Sequence, residues 1–457
     1  MIPLIHARRG VLAMLGCVLL MGATPATARK KQPDLPPPTT GLVDNINGIA
    51  VNAFGSMIRF DGLLIDKEGR VERRLAQGEK RPERLAWRLD GQGKTLIPSF
   101  VEGHANVIGT GLALMALDLS EATSLLEAKT KIAAYIHENP GRKWIFGQGW
   151  NTASWPPSDA EPTVADLDRI VADTPVWLVS ADGRRGWANS AALRLAGLSR
   201  ISGTLSGEAK AAMEKIVPTP APKDRDIALD KAQRHFLSLG ISTVADIGTT
   251  IDDWQAFRRA GDRGALRLRI VGYADGIDEM VTIAGPAPSP WLYDMHLRLV
   301  GVNFSVKGAT AAADGTRLRN RMSRAAMDGF QLSLSPDDEA AVHETQAAFA
   351  ELSQTYEGDR RWRTEDMARS SEAPFARLAR LSSQSGGFTA ALAAMTGGSA
   401  HLLFADKVTG NLEPGQSADF LIIDRDLSAA TPDAIAGTRI AEHWIGGKRI
   451  WKSGEDQ

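Results

Sequence analysis

The 457-residue chain has one cysteine, Cys17, so a disulfide framework is excluded. Cys17 also lies inside an N-terminal stretch that reads as a cleavable leader. The mature chain would then carry no thiol, which suits an oxidising compartment and leaves out Cys-based catalysis. An excess of one charge is missing too. The 53 Lys and Arg against 54 Asp and Glu leave a net charge of −1, so no field recruits nucleic acid or an anionic membrane, and neither is expected as a partner. A long apolar run is also lacking. The apolar stretch at 11–23 is too short for a comfortable bilayer span, and nothing later resembles one.

That stretch follows the basic pair Arg8 and Arg9 and precedes Ala26-Thr27-Ala28, a small-x-small cleavage pattern. Residues 1–28 are therefore expected to be a signal peptide, with the mature protein periplasmic or secreted and no longer membrane-attached. A linker at 29–44 is marked by Pro33, Pro36, Pro37 and Pro38. Hydrophobic residues make up 43% of the chain, enough for a real core. Short strand-like runs at 48–53, 62–65 and 84–88 assign 45–94 to an all-β head. From about residue 95 the pattern changes to apolar runs at 144–146, 176–179, 243–247, 268–273 and 299–304, with helical stretches such as 124–138 and 225–239 between them. Strand and helix in alternation mean a parallel sheet, and at this length a (β/α) barrel over 95–405. The tail, 406–457, returns to strands at 418–424 and in a hairpin at 443–451. The expected fold class is α/β: a TIM-like barrel with a small β-sandwich built jointly by both chain ends.

The segment Leu96-Ile97-Pro98-Ser99-Phe100-Val101-Glu102-Gly103-His104-Ala105-Asn106 resembles the first barrel strand of the amidohydrolase superfamily. The stretches 144–150 (WIFGQGW), 182–195 (DGRRGWANSAALRL) and 411–424 (NLEPGQSADFLIID) narrow the resemblance to the YtcJ-like group that includes N-substituted formamide deformylase. It implies zinc at the C-terminal ends of the barrel strands and hydrolysis of non-peptide C–N bonds in amides or formamides. It also supplies the pattern from which this chain departs. Two imidazoles of a His-x-His pair face one metal because residues i and i+2 share a strand face. Here the pair reads His104-Ala105-Asn106, and a neutral amide oxygen is a poor zinc ligand. Asn303 stands at the position of the group's Lys. Ser335 and Asp366 stand at the positions of its next two histidines, and the Ser-Asp that ends its last barrel strand has no counterpart. The stretch that would carry the last strands is missing, so the barrel is expected to be incomplete.

The resemblance leaves His104 and Asp366 as candidate metal ligands, with Asp366 also the one candidate catalytic group. Two ligands without a firm third hold zinc poorly. Trp150, Asp182 and Arg184 are candidate substrate-binding residues, with Arg184 replacing the His of the group's Asp-Gly-His. Each has a plain structural alternative: a strand-end relic for His104, a core position for Trp150 and Trp155, an internal salt bridge for Asp182. Lys307 could pair with Asp314 or Asp366, or stand in solvent. His137, His235 and His343 fall in helical stretches, His296, His401 and His443 have no ligand partner at a useful spacing, and Ser335 has no nearby histidine base. The expectation is an exported family member impaired in catalysis. A hydrolase with an altered metal site and a non-catalytic module binding an amide-like small molecule or a protein remain alternatives.

Overall fold

The computed structural model describes residues 38–198, 201, 203–308, 310–365, 372–384 and 386–454. The expected leader and most of the 29–44 linker lie outside these residues, as does Asp366. Eighteen strands are present among the described residues. The head contributes β1 (Gly41–Val51), β2 (Met57–Ile65), β3 (Val71–Leu75), β4 (Trp87–Asp90) and β5 (Thr95–Pro98). The middle contributes β6 (Phe100–Ala105), β7 (Leu117–Asp118), β8 (Ile145–Trp150), β9 (Val176–Ser180), β10 (Gly186–Ala188), β11 (Ile241–Thr249), β12 (Arg269–Ala274), β13 (Leu297–Val306), β14 (Gln331–Pro336) and β15 (Arg363–Thr364). The tail adds β16 (Phe420–Ile423), β17 (Ile440–Ile445) and β18 (Lys448–Lys452).

Head and tail share one hydrogen-bonded sheet. Its order is β18-β17-β16-β5-β1-β2-β3, with β4 alongside β1. The seam between the two chain ends is the antiparallel pair β5–β16, in which Leu96 faces Ile422 and Ile97 faces Leu421. The β17–β18 hairpin turns on Gly446 and Gly447, both at positive φ (55° and 68°), the primed-turn geometry whose twist suits a two-residue connection. Val43, Phe60, Leu63, Leu96, Phe420 and Ile422 pack into a core under this sheet.

The parallel sheet runs β15-β14-β13-β12-β11-β6, six strands instead of the eight of a closed barrel. Its central strands are buried along nearly their whole length, as expected of strands covered on both faces. Helices Pro222–Ser238, Ile251–Asp262, Ile277–Ala284, Ala311–Met327 and Glu339–Leu352 alternate with its strands. Among the described residues no strand joins β15 back to β6. Helical turns after residue 373 fill that gap instead: Phe375 meets Phe100 of β6 edge-on at 5.2 Å. Ala400, Leu403 and Ala405 pack among Val101, Ala245, Val271, Tyr273 and Val300 from β6, β11, β12 and β13.

The runs at 144–146 and 176–179 form strands, but they belong to a separate four-stranded sheet, β10-β9-β8-β7. Apolar periodicity identifies a buried strand without naming its partner. Here β9 turns back on β10 in an antiparallel pair, and Trp150, Trp155, Leu178 and Trp187 give the unit a core of its own.

Candidate functional site

The C-terminal ends of β6, β14 and β15 converge on one polar cluster. His104, near the end of β6, directs Nδ1 at the Glu365 carboxylate in a short contact. A carboxylate only accepts, so Nδ1 carries the hydrogen and Nε2 is left free of partners among the described residues. Glu365 follows β15 directly and is 2% exposed. It also accepts from Ser333 Oγ at 2.5 Å and faces Arg363, with Nε at 2.7 Å and Nη2 at 3.0 Å. Burial pushes the Glu365 carboxyl upward, but the His104 hydrogen bond and the Arg363 charge outweigh it and hold it below the usual range.

Arg363 reaches across the gap between the edge strands. Its Nη2 donates to the Gly103 carbonyl on β6 at 2.7 Å, and its guanidinium lies 5.5 Å from the centre of the Tyr273 ring. Burial pushes that phenol up to about 12, so it stays neutral and donates to Gln331 at 2.6 Å. Side chains therefore tie β6 to β15 where backbone pairing is absent. A second pair, Arg377 with Glu102, lies beside the first. On the neighbouring strands Asn303 Oδ1 accepts from Ser335 at 3.0 Å and lies 3.2 Å from Ser333 Oγ, whose one hydrogen goes to Glu365.

The residues singled out from sequence are only partly brought together. His104 stands in the cluster, while Asp366 lies outside the described residues. Asn106 is the N-cap of helix Val107–Met115: its side-chain oxygen accepts from the Gly109 amide at 2.6 Å, so it satisfies a helix end instead of facing a metal. Ser335 meets Asn303 and no imidazole. Lys307 is exposed and lines a 220 Å³ cavity with Asp314, Arg317 and Arg321, without an ion pair to Asp314. Trp150 is fully buried in the four-stranded unit, its indole N–H donating to Leu178 O at 3.0 Å. Trp155 is buried in the same core. Asp182 is exposed and closes a turn through Ser180 Oγ (2.6 Å) and the Arg184 amide (3.0 Å). Arg184 is exposed beside it. None of their hydrogen bonds or ion pairs reaches the His104 cluster. His137, His343 and His401 are exposed, and His235 and His296 are half-buried. His443 is fully buried between Ser99 Oγ (2.9 Å) and Leu237 O (2.8 Å).

Sequence reading missed Arg363, Glu365 and Ser333. Arg363 and Glu365 sit two apart at a strand end, a spacing that puts both on one face. That spacing was visible, but nothing in it said which face meets β6.

A parallel half-barrel with a polar cluster at its strand ends and a sheet built from both chain ends has the fold of metal-dependent hydrolases. An uncharacterized metal-dependent hydrolase from Pyrococcus horikoshii superposes with a TM-score of 0.68 at 17% identity, covering 86% of this chain and 99% of that one. A second, from Pyrococcus furiosus, gives 0.64 at 20% identity over 85% and 99%. The amidohydrolase family pattern matches residues 89–386 and 383–451, and the chain belongs to that family. N-substituted formamide deformylase of Arthrobacter pascens is 26% identical over 201 residues, 39% of this chain and 37% of that protein. YtcJ of Bacillus subtilis is 36% identical over 108 residues, 24% and 20% of the two chains. The exoenzymes regulatory protein AepA of Pectobacterium carotovorum is 28% identical over 204 residues, 39% and 44%. The chain spans less than half the length of these curated relatives.

The described residues do not make up a zinc centre. Among the described residues no three His, Cys, Asp or Glu side chains converge as a ligand set, and catalytic zinc takes three protein ligands and an open position. Glu365 is already engaged by His104, Ser333 and Arg363. A fixed guanidinium beside it would also repel a metal cation placed there.

Proposed function

We propose that this protein is an exported amidohydrolase-family member that has lost metal-dependent hydrolysis and uses the barrel mouth to bind a small amide-like molecule. The observation that carries the reading is the engagement of His104, the surviving residue of the His-x-His pair, with a carboxylate that Arg363 neutralises. Its similarity to N-substituted formamide deformylase supplies the ligand class to test. Export rests on the pattern of residues 1–28 alone.

The test is the zinc content of the purified mature protein, with His104→Ala as control, followed by a hydrolysis screen on N-substituted formamides. Absence of zinc in a folded, monodisperse sample, with no turnover, is the expected result. Near-stoichiometric zinc that disappears in His104→Ala, together with formamide hydrolysis, would overturn the reading in favour of an active enzyme with a rebuilt site.

A further inference from the structure

We propose that the cleft between the joint sheet and the N-terminal ends of β12 and β13 is a second ligand site, built for a small ω-amino acid. Such a ligand has an apolar chain with a carboxylate at one end and an ammonium at the other. The site lies away from the His104 cluster and is independent of the barrel-mouth reading above.

The cleft holds a cavity of 680 Å³, and cavities of this size where two layers of a fold meet are typical small-ligand sites. One wall belongs to the sheet. The turn before β3 meets the β17–β18 hairpin there: a Cβ added to Gly69 would lie 2.1 Å from the Gly446 carbonyl oxygen. That close approach sets Arg70 and Lys448 on the same wall, and neither has an ion pair among the described residues, although Arg70 is half-buried. The barrel supplies the other wall, through Arg267, Arg269 and the turn that ends at His296. In that turn Tyr293, Asp294 and Met295 follow one another at φ of 52°, 51° and 63°. Left-handed backbone is uncommon outside glycine, and strain of this kind gathers at ligand-holding segments. His296 Nδ1 sits 3.0 Å from both the Tyr293 and Asp294 carbonyl oxygens, which only accept. Nδ1 therefore carries the hydrogen and Nε2 is left as an acceptor. Burial and the Arg269 charge hold the His296 pKa below its ordinary value, so the ring is neutral near pH 7.

Charge then selects the ligand. On the sheet wall Lys67 is met by Glu68 at 3.4 Å, and Asp66 accepts from the Arg70 amide at 2.8 Å. Arg70 and Lys448 together outweigh Asp66, so this wall keeps a positive excess. On the barrel wall Arg267 is met by Asp230 and Arg269 by Asp419. Asp294 is exposed there without an ion pair among the described residues, and it leaves that wall negative. Between the walls the lining is apolar, with Ile65, Leu266 and Trp87. Trp87 is 36% exposed and stacks its other face toward Trp444 at 6.1 Å, which holds the indole in place as a surface for methylene groups. The Arg70 fork suits a carboxylate, while Asp294 and His296 Nε2 accept from an ammonium. A plain carboxylate would leave Asp294 unmatched, and a plain amine would leave Arg70 unmatched. A ligand charged at both ends satisfies both walls.

The experiment uses the mature protein and three probes with one body: ε-aminocaproate, caproate and hexylamine, titrated by saturation-transfer NMR. The zwitterion is expected to bind saturably, and each singly charged probe about fivefold more weakly, the size of one partly exposed ion pair. Arg70→Met should weaken ε-aminocaproate by a similar factor and leave hexylamine unchanged. Asp294→Asn should do the same to ε-aminocaproate and leave caproate unchanged. Both variants are expected to melt at the wild-type temperature, because neither side chain has an ion pair to lose and asparagine accepts left-handed backbone. No saturable ε-aminocaproate binding, or caproate or hexylamine binding as tightly as the zwitterion, would overturn the proposal. So would equal ε-aminocaproate binding in both variants. A second readout needs no variant of the charged groups: the Trp87 indole N–H signal of 15N-tryptophan-labelled wild type, assigned through Trp87→Phe. It is expected to shift on ε-aminocaproate addition, and an unmoved signal at saturation would place the ligand elsewhere and refute the site.

Discussion

Acidification will load a proton onto His443 in the unfolded chain that the folded chain refuses. His443 is fully buried where β17 meets the end of helix Pro222–Ser238. Leu237 O can only accept, so Nδ1 carries the hydrogen and Nε2 accepts from the Ser99 hydroxyl. Burial lowers its pKa from 6.5 to about 4. Between those values the unfolded state binds more protons, so the His443 contribution is intact above pH 6.5 and is lost as pH falls toward 4. At about 1.4 kcal/mol per unit this loss amounts to roughly 3 kcal/mol. Asp246 works against it. Buried, and accepting from the Val107 amide and Thr249, its carboxyl is raised from 3.8 to about 6. The folded state therefore binds the extra proton, and stability rises by roughly 3 kcal/mol as pH falls through the same window. Wild type should show little net slope from these two groups, and the variants should separate them. His443→Asn keeps an N–H toward Leu237 O and cannot charge. At pH 7 it should be less stable by about 1–2 kcal/mol, because Ser99 loses its acceptor. By pH 4 the gap should have closed and reversed, a swing of about 3 kcal/mol. Asp246→Asn should swing by a similar amount in the opposite direction. Urea unfolding at pH 7, 6, 5 and 4 reads both, and titrations shared with wild type cancel in the difference. A wild-type–His443→Asn gap that stays constant across that range would refute the argument.

The pair Arg269–Asp419, 2% and 1% exposed, joins the start of β12 to the residue before β16 at 2.6 Å. Arg269→Met would leave Asp419 buried and charged, and unfolding should show a loss of about 3–5 kcal/mol; a loss under 1 kcal/mol would mean the aspartate finds water or a proton. At Gly111 an added Cβ would lie 1.9 Å from the Ala228 carbonyl oxygen, so helices Val107–Met115 and Pro222–Ser238 touch backbone to backbone there. Gly111→Ala should cost about 1–3 kcal/mol of stability in spite of its better helix propensity, and a stabilised variant would contradict that close approach.

Much of the architecture is legible in local pattern. The strands at 243–247, 268–273 and 299–304 and the helix at 225–239 follow from apolar spacing, because each element buries one face or both. The joint sheet from head and tail is foreshadowed by β-rich runs at both ends. The broken His-x-His pair at His104 and Asn106 is visible as plain residue identity. The clasp at the barrel mouth is not. His104 and Glu365 are 261 residues apart, and their contact depends on which strand borders the gap. Nor does periodicity say that the strands containing Trp150 and Leu178 leave the barrel for a sheet of their own.

By itself the sequence determined the elements, the family likeness and the loss of a second imidazole, since these depend on residues near one another in the chain. Only the tertiary structure decided that Arg363 lies across the mouth between Glu365 and Gly103, that Asn106 caps a helix, and that His443 is buried neutral. Hydrogen bonding and desolvation depend on neighbours in space, and those neighbours come from distant parts of the chain.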